Sequence, residues 1–498
     1  MSNNNLEINL KTYFPKTASP EGTAVDILLM SMPLTLSDAA WAAGAALKSV
    51  AVAAGYSCAT VDLNVYTLHW LKRHPSVMEL KDFFWEGKIL EQHRYAIDLY
   101  TDWVIEIIQK YNPKILGLSV FTDFSRHTTI LIAKAVKKHL PHVKIIIGGH
   151  GVSNGFLYTD NSISFGEKLK QEGVVDHYIL GDAEYSFTEF LKNNLDFLGI
   201  DQSQWQQLNN NEIENIPYPD YSDYDWPLYP NKTIGITGSR GCVRQCKFCD
   251  YIATWKNYTW RSADNIFEEM LYQKQKYGIS NFQFSDSLIN GNLKEYEKLV
   301  TKLSDYNFAN PSDPFKWASF FIFRPKSQFG EKLWQLTASS GASAVIVGIE
   351  SFNDVTRFDM GKKFTNKDID DALEMCIKYK INVVLLFFVG YVTDTQKNID
   401  ETLAWLDEHQ HLKDHIVLAT QRTLMILPGS WLDKNQKIIN IELLNPENTQ
   451  SWVNLKTGSN LEIREAWQEQ IISHIDKLGY PLIQDGNLHK WLEDMLEK

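Results

Sequence analysis

Between residues 24 and 194, short apolar runs alternate with segments whose apolar residues recur every three or four positions. Ala24–Met30 reads as a buried strand and Asp38–Ala54 as an alanine-rich helix stopped by Gly55. Ser57–Val65 is a second strand, Tyr95–Tyr111 an amphipathic helix and Lys114–Ser119 a third strand. Ser125–Leu140 is helical, Val143–Ile147 a fourth strand and His177–Leu180 a short fifth. Strands and helices alternating at this pace predict a doubly wound parallel sheet with helices on both faces. Ligands on such sheets sit beyond the carboxyl ends of the strands.

The alternation lapses over residues 200–230, which are polar and then rich in Pro, Asp and aromatic residues, and it resumes at Lys232. Thr233–Thr237, Phe282–Ser285, Trp317–Phe323, Ala344–Gly348 and Val383–Gly390 read as strands, with Ile416–Ala419 or Leu424–Ile426 closing the set. Ser262–Tyr277, N-capped by Ser262, and Lys294–Tyr306 are helical. Six βα units fall short of the ~250 residues of a closed eight-unit barrel, so a partial (β/α)6 barrel is expected. The predicted order is a tail over 1–23, a first α/β domain over 24–199, a linker over 200–230 and a barrel over 231–430. A small helical extension over 431–498 follows, with amphipathic helices at Glu462–Leu478 and Leu488–Lys498.

Composition removes several classes of function. At 498 residues, 44% hydrophobic and 22% charged, the chain reads as a globular protein of two or three domains. Its net charge of −12 is spread along the chain and gives no support to a long nucleic-acid surface. No apolar stretch reaches the ~18 residues of a membrane span, and the N-terminus does not read as a signal peptide. Five cysteines, three of them clustered, suit a reducing compartment, so a cytoplasmic location is expected.

Those three, Cys242, Cys246 and Cys249, follow the first barrel strand as Gly238-Ser-Arg-Gly-Cys-Val-Arg-Gln-Cys-Lys-Phe-Cys249. Spaced C-x3-C-x2-C, they can each ligate one iron of a [4Fe–4S] cluster, leaving the fourth iron open to a small molecule. Zinc is the alternative, but it needs four ligands, and no histidine follows the cluster until His409 and His411.

The cysteine spacing, Phe248 before the last cysteine and the preceding Ser239-Arg-Gly241 resemble the radical S-adenosylmethionine (radical SAM) superfamily. The resemblance implies that the open iron binds S-adenosylmethionine, whose reductive cleavage gives a 5′-deoxyadenosyl radical. It also implies an electron donor such as flavodoxin or ferredoxin. Gly348-Ile-Glu350-Ser351 is similar to the family's Gly-x-Glu-Ser segment, which places Glu350 and Ser351 near the cosubstrate ribose. Arg324 is expected on the methionine carboxylate, and Asp286, beside Ser285, near the methionine amino group. A plain surface ion pair is the other reading of Glu350 or Arg324. Gly390-Tyr-Val-Thr-Asp-Thr395 departs from the family's Gly-x-Pro-Gly-Glu-Thr.

In the first domain the strand ends carry Met32–Thr35, Ser119-Val-Phe-Thr122, Gly148-Gly149-His-Gly151 and Gly181-Asp-Ala-Glu184. Read alone, these are ordinary turn residues. Ahead of a radical SAM motif they resemble the cobalamin-binding domain of many relatives, with contacts expected at Ser119, Thr122, Gly148 and Gly149. The Asp-x-His-x-x-Gly that ligates cobalt in some such domains is absent after the first strand. Either cobalamin binds without a protein histidine, or the domain has kept the fold and lost the cofactor.

The resemblance implies a cobalamin-dependent radical SAM enzyme, a methyltransferase acting on an unactivated carbon of a small molecule or peptide. A cyclase or oxidoreductase with the same two-domain layout is the first alternative, and a non-catalytic metal- or cobalamin-binding sensor the second.

Overall fold

Two compact units divide the chain, Met1–Lys232 and Thr233–Lys498. The computed structural model describes residues 24–35, 39–73, 83–84, 87–122, 124–153, 163–196, 205–229, 231–251, 255–420, 423–445 and 448–484. The tail over 1–23 and the helix expected at Leu488–Lys498 lie outside the described residues.

In the first unit five strands form one parallel sheet: β1 (Ile27–Ser31), β2 (Cys58–Val61), β3 (Ile115–Ser119), β4 (Lys144–Gly148) and β5 (His177–Tyr178). Their order is β2-β1-β3-β4-β5, so the chain reverses direction between β1 and β3. That reversal opens a crevice beyond the carboxyl ends of these two strands. The helices include α1 (Ala42–Ala53), α2 (Leu63–Arg73), α3 (Arg94–Tyr111), α4 (Ser125–His139), α5 (Phe165–Gln171) and α6 (Ala183–Lys192). One side of the sheet packs Ile27, Leu29, Ile115 and Ile146 against Val50 of α1 and Phe187, Phe190 and Leu191 of α6. Strand β2 is shorter than expected, because Leu63–Val65 already belong to α2. A short apolar run fits a buried strand or a buried helix start equally well.

The segment expected to be a linker lies on this unit. Gln206 pairs with Gly181 in a parallel bridge, and the Asp182 carboxylate accepts from Leu208 N at 2.8 Å. Further on, Lys48 of α1, only 5% exposed, sits 2.7 Å from Asp223. Tyr229 donates to Asp62 at 2.7 Å, Tyr224 donates to the Trp41 carbonyl at 2.5 Å, and Tyr221 is fully buried. Aromatic burial and an ion pair shielded from water hold residues 205–229 as part of the domain. Gly181 and Asp182, read as strand-end candidates, serve that attachment.

The second unit is a parallel sheet built from β6 (Thr233–Ile236), β9 (Asn281–Phe284), β10 (Lys316–Phe321), β11 (Ala342–Glu350), β12 (Asn382–Phe387) and β13 (Ile416–Ala419). Between β6 and β9 lies a small antiparallel ribbon, β7 (Ser239–Arg240) with β8 (Thr259–Trp260). The connecting helices include α7 (Ala263–Tyr277), α8 (Leu293–Ala309), α9 (Glu331–Ser339), α10 (Asp354–Asp359), α11 (Asn366–Tyr379) and α12 (Gln396–Glu408). Ser262 caps α7 by accepting from Asn265 N, as expected. Six βα units in sequential order, without closure, give the partial barrel. Small and β-branched residues, Ala318, Ala344, Ile346, Val384, Val417 and Ala419, pack together across these strands.

The C-terminal residues add more than a helix. A hairpin, β14 (Ile441–Leu443) with β15 (Trp452–Asn454), precedes α13 (Leu461–Leu478), and β16 (Leu482–Ile483) pairs with β13 as a seventh parallel strand. Arg464 of α13 is fully buried with its guanidinium 3.6 Å from the Trp452 ring centre, and it donates to the Gln450 and Trp452 carbonyls at 2.7 and 2.9 Å. It fills the space beside Gly390, which leaves no room for a side chain there. Among the described residues, no helix is long and apolar enough to cross a membrane.

Candidate metal centre and cofactor sites

The cysteine loop leaves the carboxyl end of β6 and is fastened at both ends. At its entrance the Asp286 carboxylate accepts from Gly238 N at 2.7 Å and from the Ser239 hydroxyl at 2.6 Å. Gly241 has φ +81°, and a side chain there would run into the Asn257 carbonyl, so the turn into Cys242 requires glycine. Arg261, paired with the buried Glu269, donates to the Thr237 carbonyl at 2.9 Å. At the far end Lys247 N donates to the Met360 carbonyl at 2.9 Å, and the Lys247 ammonium lies 2.7 Å from Asp359. Tyr391 donates to the same carboxylate at 2.9 Å. The Phe248 ring meets Phe388 edge-on at 5.1 Å, which covers the loop beside its last cysteine.

All three thiols are free, and Cys246 is buried. Burial pushes each one up, Cys249 to about 12, while Lys362 and Arg244 pull Cys242 and Cys246 back toward the thiolate. Arg244 N points at Cys242 Sγ from 3.4 Å, as a donor to a thiolate would. Three soft donors on a braced loop fit three irons of a [4Fe–4S] cluster and leave its fourth iron without a protein ligand. Among the described residues, no three His, Cys, Asp or Glu side chains close on a single ion. A cluster asks no such convergence, since each thiolate binds a different iron.

Glu350 stands at the carboxyl end of β11, where the register with β12 slips between Gly348 and Glu350. The bulge puts Glu350 at φ +65°, a conformation that costs a non-glycine residue about 1–2 kcal/mol. What keeps it there is Lys362, whose ammonium lies 2.9 Å from both Glu350 Oε1 and the Gly348 carbonyl. Ser351 starts the turn into α10, with its hydroxyl accepting from Asn353 N and its carbonyl held by the buried Arg357. Lys362 had no signal in the sequence, because it lies 12 residues from Glu350 and meets it only through the turn after α10.

Two residues expected near the cosubstrate make hydrogen bonds to the chain itself. Asp286 is 2% exposed and both its oxygens are taken by the loop, so it is a latch for the cysteines and not an open partner for an amino group. Burial raises its pKa to about 6 against the pull of the Ser239 and Gly238 hydrogen bonds. Arg324 donates to the Asn290 and Gly291 carbonyls at 3.0 and 3.2 Å, leaving its buried Nε without a partner. Arg244 has no ion pair among the described residues, and its Nε is likewise buried and unpartnered. Its charge bears on Arg324, so this corner is rich in cations and suits a carboxylate.

In the first unit the switch-point crevice is bordered by Met32–Thr35 and Ser119–Thr122. The Thr122 hydroxyl lies 3.1 Å from both the Leu34 carbonyl and the Ser125 hydroxyl, and thus ties the two strand-end loops together. Gly149, at φ +104°, has its close approach to the chain itself, because a Cβ there would sit 2.6 Å from the Val120 carbonyl. Gly148 differs, since among the described residues nothing but Ile179 Cβ comes within 4.0 Å of the space a Cβ would fill. Open backbone at Gly148 beside Ser119, its register partner across β3 and β4, fits a broad flat ligand such as cobalamin.

Residues 236–406 match the radical SAM superfamily. An uncharacterized methyltransferase of Pyrococcus horikoshii is 21% identical over 325 residues, covering 62% of this chain and 67% of the relative. The cytidylyl-2-hydroxyethylphosphonate methyltransferase of Streptomyces wedmorensis is 26% identical over 338 residues, covering 56% of this chain and 59% of its own length. In shape the chain is similar to the radical S-adenosylmethionine methyltransferase TsrM of Kitasatospora setae, a structure with cobalamin and a [4Fe-4S] cluster bound. The TM-score is 0.63 at 14% identity, over 94% of this chain and 90% of that one, a likeness of fold. The radical SAM match covers residues 236–406, within the barrel, and the likeness to TsrM is one of fold that extends over the N-terminal sheet as well.

Proposed function

We propose that this protein is a cobalamin-dependent radical SAM methyltransferase acting on an unactivated carbon of a small molecule or peptide. The observation that carries the reading is the cysteine loop, three thiols braced at the mouth of a partial barrel with no fourth cysteine near them in the sequence. When bound, the cluster supplies the electron that cleaves S-adenosylmethionine, and cobalamin supplies the methyl group. The chain's own residues bind, orient and shield. Cys242, Cys246 and Cys249 hold iron, and Asp286, Lys247 and Asp359 keep their loop from shifting. Glu350 offers a carboxylate oxygen to the ribose hydroxyls, and Arg324 with Arg244 attracts the methionine carboxylate. Phe248 and Phe388 keep water from the loop. Gly148 and Ser119 line the cobalamin crevice, without a histidine on cobalt. A flavodoxin- or ferredoxin-like donor and a cytoplasmic, reducing location complete the proposal.

Anaerobic reconstitution with iron, sulfide and cobalamin, followed by mass spectrometry of S-adenosylmethionine products, tests it. Deoxyadenosine together with S-adenosylhomocysteine is the expected outcome. Deoxyadenosine alone would replace methyl transfer by cyclisation or oxidation, and neither product would remove the enzyme reading.

A further inference from the structure

Lys362 is a largely shielded cation that stands beside the candidate metal centre. Its side chain is 15% exposed, and its ammonium lies 2.9 Å from Glu350 Oε1 and 6.0 Å from the centre of the Phe248 ring. Cys246 and Cys242 are, after Glu350, the groups whose charge acts on it. The next residue toward the N-terminus, Gly361, packs against the backbone of Gln245 and Cys246, which sets the lysine's backbone against the loop. A lysine with little access to water, paired with a carboxylate and close enough to the cysteine loop for its charge to reach two thiols, is more than a strand-end brace. The carboxylate neutralises part of its charge, and the remainder falls on the cysteines.

We propose that Lys362 and Glu350 form a paired-charge device that sets the reduction potential of the iron–sulfur cluster, the lysine raising it and the glutamate lowering it. Reduction adds a negative charge to the cluster, and a nearby cation stabilises that state while a nearby anion opposes it; net charge and burial are among the levers on such potentials. Low exposure keeps the effect from being screened away. Because Lys362 also fixes the carboxylate through the Gly348 carbonyl, the geometry of the cosubstrate site and the potential of the cluster depend on one side chain. Lys362 is thus a positioning residue. The inference rests on the cluster being held by Cys242, Cys246 and Cys249.

The test is a redox titration of the full chain, reconstituted anaerobically without S-adenosylmethionine and followed by the electron paramagnetic resonance signal of the reduced cluster. Lys362→Met should shift the midpoint to more negative potential and Glu350→Gln to more positive. The double variant should fall between the two, and Lys362→Arg close to the parent. This opposed sign pattern is what a merely structural role would not produce. Unchanged midpoints, or shifts of one sign in both single variants, would overturn the proposal. If Lys362→Met fails to hold iron, the positive shift in Glu350→Gln decides alone. A parent protein that takes up no iron–sulfur cluster would instead sink the cluster reading, which the same spectra show before any variant is compared.

Discussion

The Asp286 carboxylate accepts a 2.6 Å hydrogen bond from the Ser239 hydroxyl, tying the end of β9 to the entrance of the cysteine loop. The bond crosses from one barrel strand to the segment after its neighbour, so the cysteines inherit the rigidity of the sheet. Breaking it should loosen the metal site without touching a ligand. Asp286→Ala leaves the Gly238 amide unpaired at about 1–3 kcal/mol and leaves the Ser239 hydroxyl to the weaker 3.4 Å contact with the Leu288 carbonyl. Cluster retention during gel filtration should fall although all three cysteines remain.

The same carboxylate gives a pH signature. Its pKa rises on folding from the ordinary 3.8 to about 6 because burial outweighs the hydrogen bonds. The folded state therefore holds a proton that the unfolded chain releases first, and this contribution is present below about pH 4 and lost by about pH 6. A shift of this size corresponds to about 3 kcal/mol. Relative to Asp286→Asn, the parent should lose stability between pH 4 and pH 6 in urea unfolding and show no further change above that range. A parent-to-variant difference that stays flat over those two pH units would show that Asp286 does not titrate as its burial requires.

Cys242→Ala, Cys246→Ala and Cys249→Ala should each abolish the broad visible absorption of the cluster and all deoxyadenosine formation. Cys376, fully buried in α11, and Cys58, whose thiol is pushed far up by burial, should tolerate alanine with spectrum and product intact. A cluster that survives in Cys242→Ala would remove the ligand assignment.

The two adjacent glycines of the first unit should separate folding from cofactor binding. Gly148→Val places its side chain in open space and should block cobalamin uptake with little change in melting temperature. Gly149→Val meets the Val120 carbonyl and a positive φ, so it should lower the melting temperature whether or not cobalamin is added. Cobalamin absorbance after gel filtration and thermal melts read the two effects. In the loaded parent, nitrogen splitting from an axial imidazole in the cob(II)alamin spectrum would contradict the histidine-free crevice.

Glu350→Gln should keep the cluster and weaken S-adenosylmethionine binding about ten- to a hundredfold, the 1.5–3 kcal/mol of a hydrogen bond to a charged acceptor. Calorimetry on the reconstituted protein measures it, and unchanged affinity would leave Glu350 as the partner of Lys362 alone.

The linear sequence was enough for what depends on neighbours in the chain. Buried strands such as Ile27–Ser31 and Ala342–Glu350, the Ser262 cap and the C-x3-C-x2-C loop follow from periodicity, local hydrogen bonding and ligand chemistry, all of which act over a few residues. Tertiary structure decided what depends on distant partners. Asp286 turned from an open contact into a latch because Ser239 stands opposite it, 47 residues away. Lys362 entered the site through a turn that no local pattern marks. Gly149 proved to need glycine for the chain's own Val120 and not for a ligand, since a close approach has the same local appearance whichever body makes it. The polar, proline-rich stretch over 205–229 became part of the first domain because Lys48, Asp62 and Trp41, more than 150 residues earlier, offered its acids and tyrosines buried partners. Composition records that such residues can stay in water; only the fold determines whether something better than water faces them.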